Sequence, residues 1–125
     1  MLIPNYYTIL KSEQLGKNTY LFHVTLNGKS DVYQGHFPDN PIVPGVCSIQ
    51  MIKDCVQLLL SQESICFSCI KQCRFYHLLR PVNQELQLII TLLDNQWVTA
   101  EILENDLLCM RIKAQYKLKR FLCMH

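Results

Sequence analysis

Apolar residues recur with two different periods along this chain, and the change of period separates strands from a single helix. Between Thr19 and Asn27, the residues Tyr20, Phe22, Val24 and Leu26 occupy alternate positions, as in a strand with one buried face. Tyr6 to Lys11 reads as a strand before it, and Gly28-Lys29-Ser30 turns the chain after it. From 46 to 61 the spacing becomes helical: Val46, Ile49, Ile52, Val56 and Leu59 form a stripe that Cys55, Leu58 and Leu60 widen. Gln50, Asp54, Gln57 and Ser61 lie about one turn apart in succession, so they form a separate polar stripe. Strand chemistry returns at 64 to 77, 84 to 93, 96 to 104 and 107 to 119, with breaks at Arg80-Pro81, Asp94-Asn95 and Asn105-Asp106. In the last strand Leu108, Met110, Ile112, Ala114, Tyr116 and Leu118 oppose Arg111, Lys113, Gln115, Lys117 and Lys119, which predicts a sheet with one wet face.

Two strands, a loop, a long helix and four more strands predict an α+β fold, with residues 1–125 forming one domain free of internal repeats and linkers. Half the residues are hydrophobic and only 18% are charged, enough apolar matter for a core. No apolar run reaches the roughly 20 residues of a membrane span, and Met1-Leu2-Ile3-Pro4-Asn5 has no basic signal-peptide region, so a soluble cytoplasmic protein is expected. Seven cysteines, an odd number, fit reduced thiols better than a disulfide framework. A net charge of +2 is too small to argue for a nucleic-acid partner, and none is expected. Lys113, Lys117, Lys119 and Arg120 read either as a solvated strand face or as a landing site for an acidic partner.

The densest chemistry lies in Gly35-His36-Phe37-Pro38-Asp39-Asn40-Pro41-Ile42-Val43-Pro44-Gly45. Three prolines, each fixing its own φ and biasing the residue before it away from the helix, make this an ordered, extended loop. Such a loop holds an imidazole still, and His36 is the natural candidate for a general base.

The pattern G-H-F-P-x-x-P-x-x-P-G running into a helix resembles the signature of the hot-dog-fold 3-hydroxyacyl-ACP dehydratases, and every fixed position is filled here. Arg80-Pro81-Val82 after Phe75-Tyr76 resembles the family's strand-ending R-P-V. The resemblance implies an antiparallel sheet wrapped around one central helix, and at least a dimer with sites formed between subunits. It implies removal of water from a 3-hydroxyacyl thioester, carried on acyl carrier protein or CoA, to give the 2-enoyl thioester, without cofactor or metal. His36 matches the base that takes the C2 proton, and Gly45 matches the glycine whose amide binds the thioester carbonyl. Phe37, Pro41, Val43 and Val46 are then expected around the substrate. The chain departs from the family at the second catalytic position: the helix carboxylate falls on Gln50, and the family's neighbouring glutamine falls on Asp54. Three readings follow: a dehydratase whose acid is Asp54; an enzyme in which Gln50 only binds the hydroxyl, such as a hot-dog acyl thioesterase; or an acyl-binding partner subunit of a hot-dog heterodimer.

Cys66, Cys69, Cys73 and His77 suggest a metal site, but strand alternation puts Cys66 opposite Cys69 and Cys73, so small buried hydrophobes are expected instead. Cys47, in the first helical turn, is a conceivable thioesterase nucleophile. His23 lies off the apolar parity of its strand, and His23, His77 and His125 carry no motif.

Overall fold

The structure is a computed structural model that describes residues 6–30, 33, 42–61, 64–81 and 85–119. Among the described residues, six strands, β1 (Tyr7–Gln14), β2 (Thr19–Leu26), β3 (Ile65–Phe75), β4 (Glu85–Leu92), β5 (Trp97–Glu104) and β6 (Leu107–Leu118), accompany the long helix α1 (Gly45–Leu60). They form one sheet in the order β1-β2-β4-β5-β6-β3, with every pair antiparallel and β1 and β3 at the edges. Alternation drives the packing. Phe22, Val24 and Leu26 of β2, Leu86, Leu88 and Ile90 of β4, and Val98, Ala100 and Ile102 of β5 turn to one face. There they enclose Cys47, Met51, Ile52, Cys55 and Val56 of α1. Fully burying an aliphatic side chain of this kind contributes roughly 1.5–3 kcal/mol, so this shared core fixes how the helix lies against the sheet.

The turns follow local chemistry. Asn105 (φ 51°) and Asp106 (φ 64°) are both left-handed, as a two-residue hairpin following the strand twist requires. Asn95 and Gln96 are left-handed in the β4–β5 turn. Left-handed Ser61 ends α1 with its N–H on the Leu58 carbonyl, and the Gln57 side chain accepts the Ile65 N–H at 2.9 Å, tying the helix end to β3.

Three expectations need correction. Val46 is 74% exposed and Leu58 60%, because the apolar stripe is wider than the sheet-facing side of α1. Bulges within Phe67/Cys69 and Ile70/Gln72 flip the parity of β3: Cys66 pairs with Lys117 and Cys69 with Gln115, so those two thiols share the outer face while Cys73, opposite Ile112, does not. A third bulge at Cys109 sets Leu108 opposite Leu103 and Met110 opposite Ile102, which buries Cys109 and removes Leu108 from the Met110 face.

His23 is 8% exposed, with Nε2 2.7 Å from Glu13 and Nδ1 3.1 Å from Glu85, a cross-strand bridge from edge strand β1 to β4. The His23 hydrogen bond, helped by Lys11, holds the Glu13 carboxyl below its usual value of 4.5. A carboxyl more acidic in the folded than in the unfolded chain stabilises the fold above that usual value and loses its contribution as pH falls through the lower folded value. Melting temperatures of Glu13→Gln and the parent are therefore expected to differ near neutrality and converge on acidification.

Gly28 follows β2 where Pro81 packs against it: a Cβ there would lie 2.3 Å from the Pro81 carbonyl oxygen. Because the obstacle is backbone, Gly28→Ala must displace the Arg80-Pro81 segment. A loss of about 1–3 kcal/mol is expected, readable by denaturant titration.

Candidate functional site

The proline before Gly45 stops the helix from beginning earlier, and Pro44 takes an extended conformation as its N-cap. Its carbonyl accepts the N–H of Cys47 at 2.9 Å and of Ser48 at 3.3 Å. The N–H groups of Gly45 and Val46 precede the first carbonyl a helix can offer, so they are donors at the positive end of the helix dipole. Gly45 also gives close approach, since a Cβ there would stand 3.0 Å from the Phe75 ring.

An apolar cavity of about 370 Å³ opens at this helix end, lined by Val43, Gly45, Phe75, Leu78, Leu79 and Met110, with Ser48 and His77 as polar groups. Val43 is held by its N–H on the Leu79 carbonyl at 2.8 Å. Val46, expected at the substrate, is not among the lining residues; its side chain leaves the helix toward solvent. His36, Phe37 and Pro41 lie outside the described residues. The cavity also brings in Phe75 and His77, which the sequence had not marked as site residues.

Gln50 and Asp54 share one side of α1, as their spacing implies, and Gln50 Nε2 donates to Asp54 Oδ1 at 2.7 Å. The other carboxylate oxygen accepts the hydroxyl of Tyr7 on β1. Sequence reasoning missed Tyr7; the available signal was a tyrosine on a strand's apolar parity, whose polar tip needs a partner when covered. Burial, then the Asp54 bond, push the Tyr7 phenol well above its usual value, so it remains a donor. At 100° per residue, Gln50 and Asp54 stand roughly 120–160° around the helix from Ser48, on a different side from the cavity.

Cys47 is buried, and burial pushes its thiol up, against a thiolate nucleophile. Cys55 is pushed up to about 12 by burial and then by Asp54. Among the described residues no three of His, Cys, Asp and Glu gather as metal ligands, and no helix is long and apolar enough to cross a membrane.

The profile of the ApeI-like family, described as ApeI dehydratase, matches residues 12–106. The chain belongs to that family, as a divergent member of the hot-dog 3-hydroxyacyl-ACP dehydratases. The 3-hydroxyacyl-acyl-carrier-protein dehydratase FabZ of Levilactobacillus brevis is 34% identical over 92 residues, covering 64% of this chain and 61% of that protein. FabZ of Thermoanaerobacter pseudethanolicus is 33% identical over 82 residues, covering 61% and 56%. The matched part of the chain thus spans about three-fifths of such relatives. Among solved structures, a chain of the dehydratase heterocomplex ApeI:P from Xenorhabdus doucetiae superposes with a TM-score of 0.76 at 25% identity, covering 87% of this chain and 96% of that one. A thioesterase superfamily protein from Shewanella loihica, at a TM-score of 0.56 and 18% identity, shares the fold alone.

Proposed function

We propose that this protein removes water from 3-hydroxyacyl thioesters, with His36 as base and Asp54 as acid. The observation that carries the reading is the filled G-H-F-P to P-G motif ending on Gly45, where an N-terminal helix amide meets an apolar cavity about the size of a ligand site. His36 takes the C2 proton and the Gly45 N–H receives the charge that develops on the thioester oxygen. The C3–O bond breaks with its electron pair on oxygen, and Asp54, directly or through one water, supplies the proton that completes the departing water. Gln50 hydrogen-bonds the hydroxyl, while Val43 and the cavity hold the acyl chain; Phe37 and Pro41 complete the mouth. No cofactor or metal is required by these steps.

The cavity and the Asp54 carboxylate lie on different sides of α1, which supports a site shared between two protomers. Edge strand β3 offers eleven residues of strand with Ile70 and Phe75 about half exposed, a surface suited to pairing with a second hot-dog chain. The basic residues Lys113 and Lys117 on β6 would steer an acidic carrier protein.

A second reading, a partner subunit in a hot-dog heterodimer, is favoured by Gln50 itself and by the ApeI:P chain coming from a heterocomplex. The deciding experiment incubates purified protein with a 3-hydroxyacyl thioester on acyl carrier protein and follows the mass loss of one water. Loss of water by the protein alone supports the first reading. An inert protein that becomes active with a second hot-dog chain supports the other, and release of free acid identifies a thioesterase.

A further inference from the structure

Two donors from different elements occupy the two oxygens of Asp54: the Tyr7 hydroxyl from β1 and the Gln50 amide from the preceding turn of α1. The start of β1 is also fixed against the helix. Tyr6 donates to the Cys47 carbonyl at 3.0 Å, and Tyr33 donates to the Tyr6 carbonyl at 2.8 Å. Adjacent tyrosines thus grip α1 at Cys47 and again at Asp54, two helical turns further on.

We propose that Tyr7 is a positioning residue for the proton-donor side of the site, acting through Asp54 and, beyond it, Gln50. The inference rests on the dehydratase reading above. When Asp54 gives its proton to the departing hydroxyl, charge appears on oxygens at which the phenol and the amide already point, so no reorganisation is needed. The bond to Asp54 also commits a Gln50 N–H to the carboxylate, which leaves the amide oxygen and the second N–H for the substrate hydroxyl. Of the groups facing Asp54, Tyr7 comes from β1, Tyr6 from the residue just before it and Cys55 from its own helix. Burial holds all three in their neutral forms, and of the three it is Tyr7 whose hydroxyl bonds a carboxylate oxygen, the Tyr6 hydroxyl being on the Cys47 carbonyl.

The test measures kcat and KM against pH, with a 3-hydroxyacyl thioester, for the parent, Tyr7→Phe, Asp54→Asn and the double variant. Tyr7→Phe is expected to lower kcat roughly 10- to 100-fold, the loss of a hydrogen bond to a charged group, with KM little changed. The limb of the pH profile belonging to the carboxylate moves to higher pH, because its anion has lost a donor. Adding Tyr7→Phe to Asp54→Asn costs nothing more, since the effect passes through the carboxylate. Placing 3-fluorotyrosine at position 7 keeps the ring while making the phenol a stronger donor, and moves the same limb to lower pH. Unchanged limbs in both position-7 variants, or losses that add in the double variant, would overturn the role of Tyr7 while leaving the dehydratase reading standing. An inert parent protein overturns that reading, and this one with it.

Discussion

His36→Ala is expected to lower dehydration by roughly 10²- to 10⁴-fold, the range general acid–base catalysis supplies. The C2 proton of a thioester needs a positioned base, and an imidazole titrates closest to the working pH. Among the motif's eleven residues His36 is the one with a basic side chain, and the motif carries three prolines, each of which restricts its own φ. The comparison variant is His77→Ala: His77 lines the cavity, yet it follows β3 on an exposed segment without the proline frame. Kinetics with a saturating thioester should show the large loss in His36→Ala and a small one in His77→Ala. The reverse order would move the base to the cavity rim.

Asp54→Asn is expected to cause a loss of the same order, roughly 10²- to 10⁴-fold, for the complementary reason. The substitution keeps size and shape but removes the proton that the departing hydroxyl must gain. It also places an amide NH₂ where either the Tyr7 hydroxyl or the Gln50 NH₂ now finds an acceptor, so a donor meets a donor. Stability should fall by about 1–3 kcal/mol from that mismatch, which denaturant titration separates from the catalytic loss. An Asp54→Asn protein that turns over normally would leave Gln50 and solvent as the only aid to the leaving group.

The two periods of apolar spacing made the elements legible: the helix starts one residue earlier than 46, and five of the six strands lie within a residue or two of their expected limits. β1 runs on to Gln14, through Ser12 and Glu13, because cross-strand pairing with β2 sustains it where apolar alternation does not. What spacing could not show was where strict alternation fails. The bulges in β3 and at Cys109 each add one residue to one strand of a pair, which turned Cys66 toward Cys69 and Leu108 away from Met110. Val46 shows a second limit: an apolar helix position lies inside only if something covers it, and the protomer's own sheet does not. At the candidate site, Gln50 and Asp54 were legible as neighbours because helix geometry is local. Tyr7 was not, because it reaches Asp54 across 47 residues of chain, and nothing local encodes that meeting. The burial of His23 between Glu13 and Glu85 is likewise a product of strand register rather than of any one segment.

The most direct test of the central claim, that a carboxylate moved one helical turn still serves as the acid, compares dehydration rates of the parent, Asp54→Asn and Gln50→Glu on one carrier-bound 3-hydroxyacyl thioester. The account predicts turnover in the parent, its loss in Asp54→Asn, and turnover retained in Gln50→Glu, which puts a carboxylate back at the family's position. A parent without turnover, with activity arising only in Gln50→Glu, would contradict it and mark a dehydratase scaffold that depends on another chain for its acid.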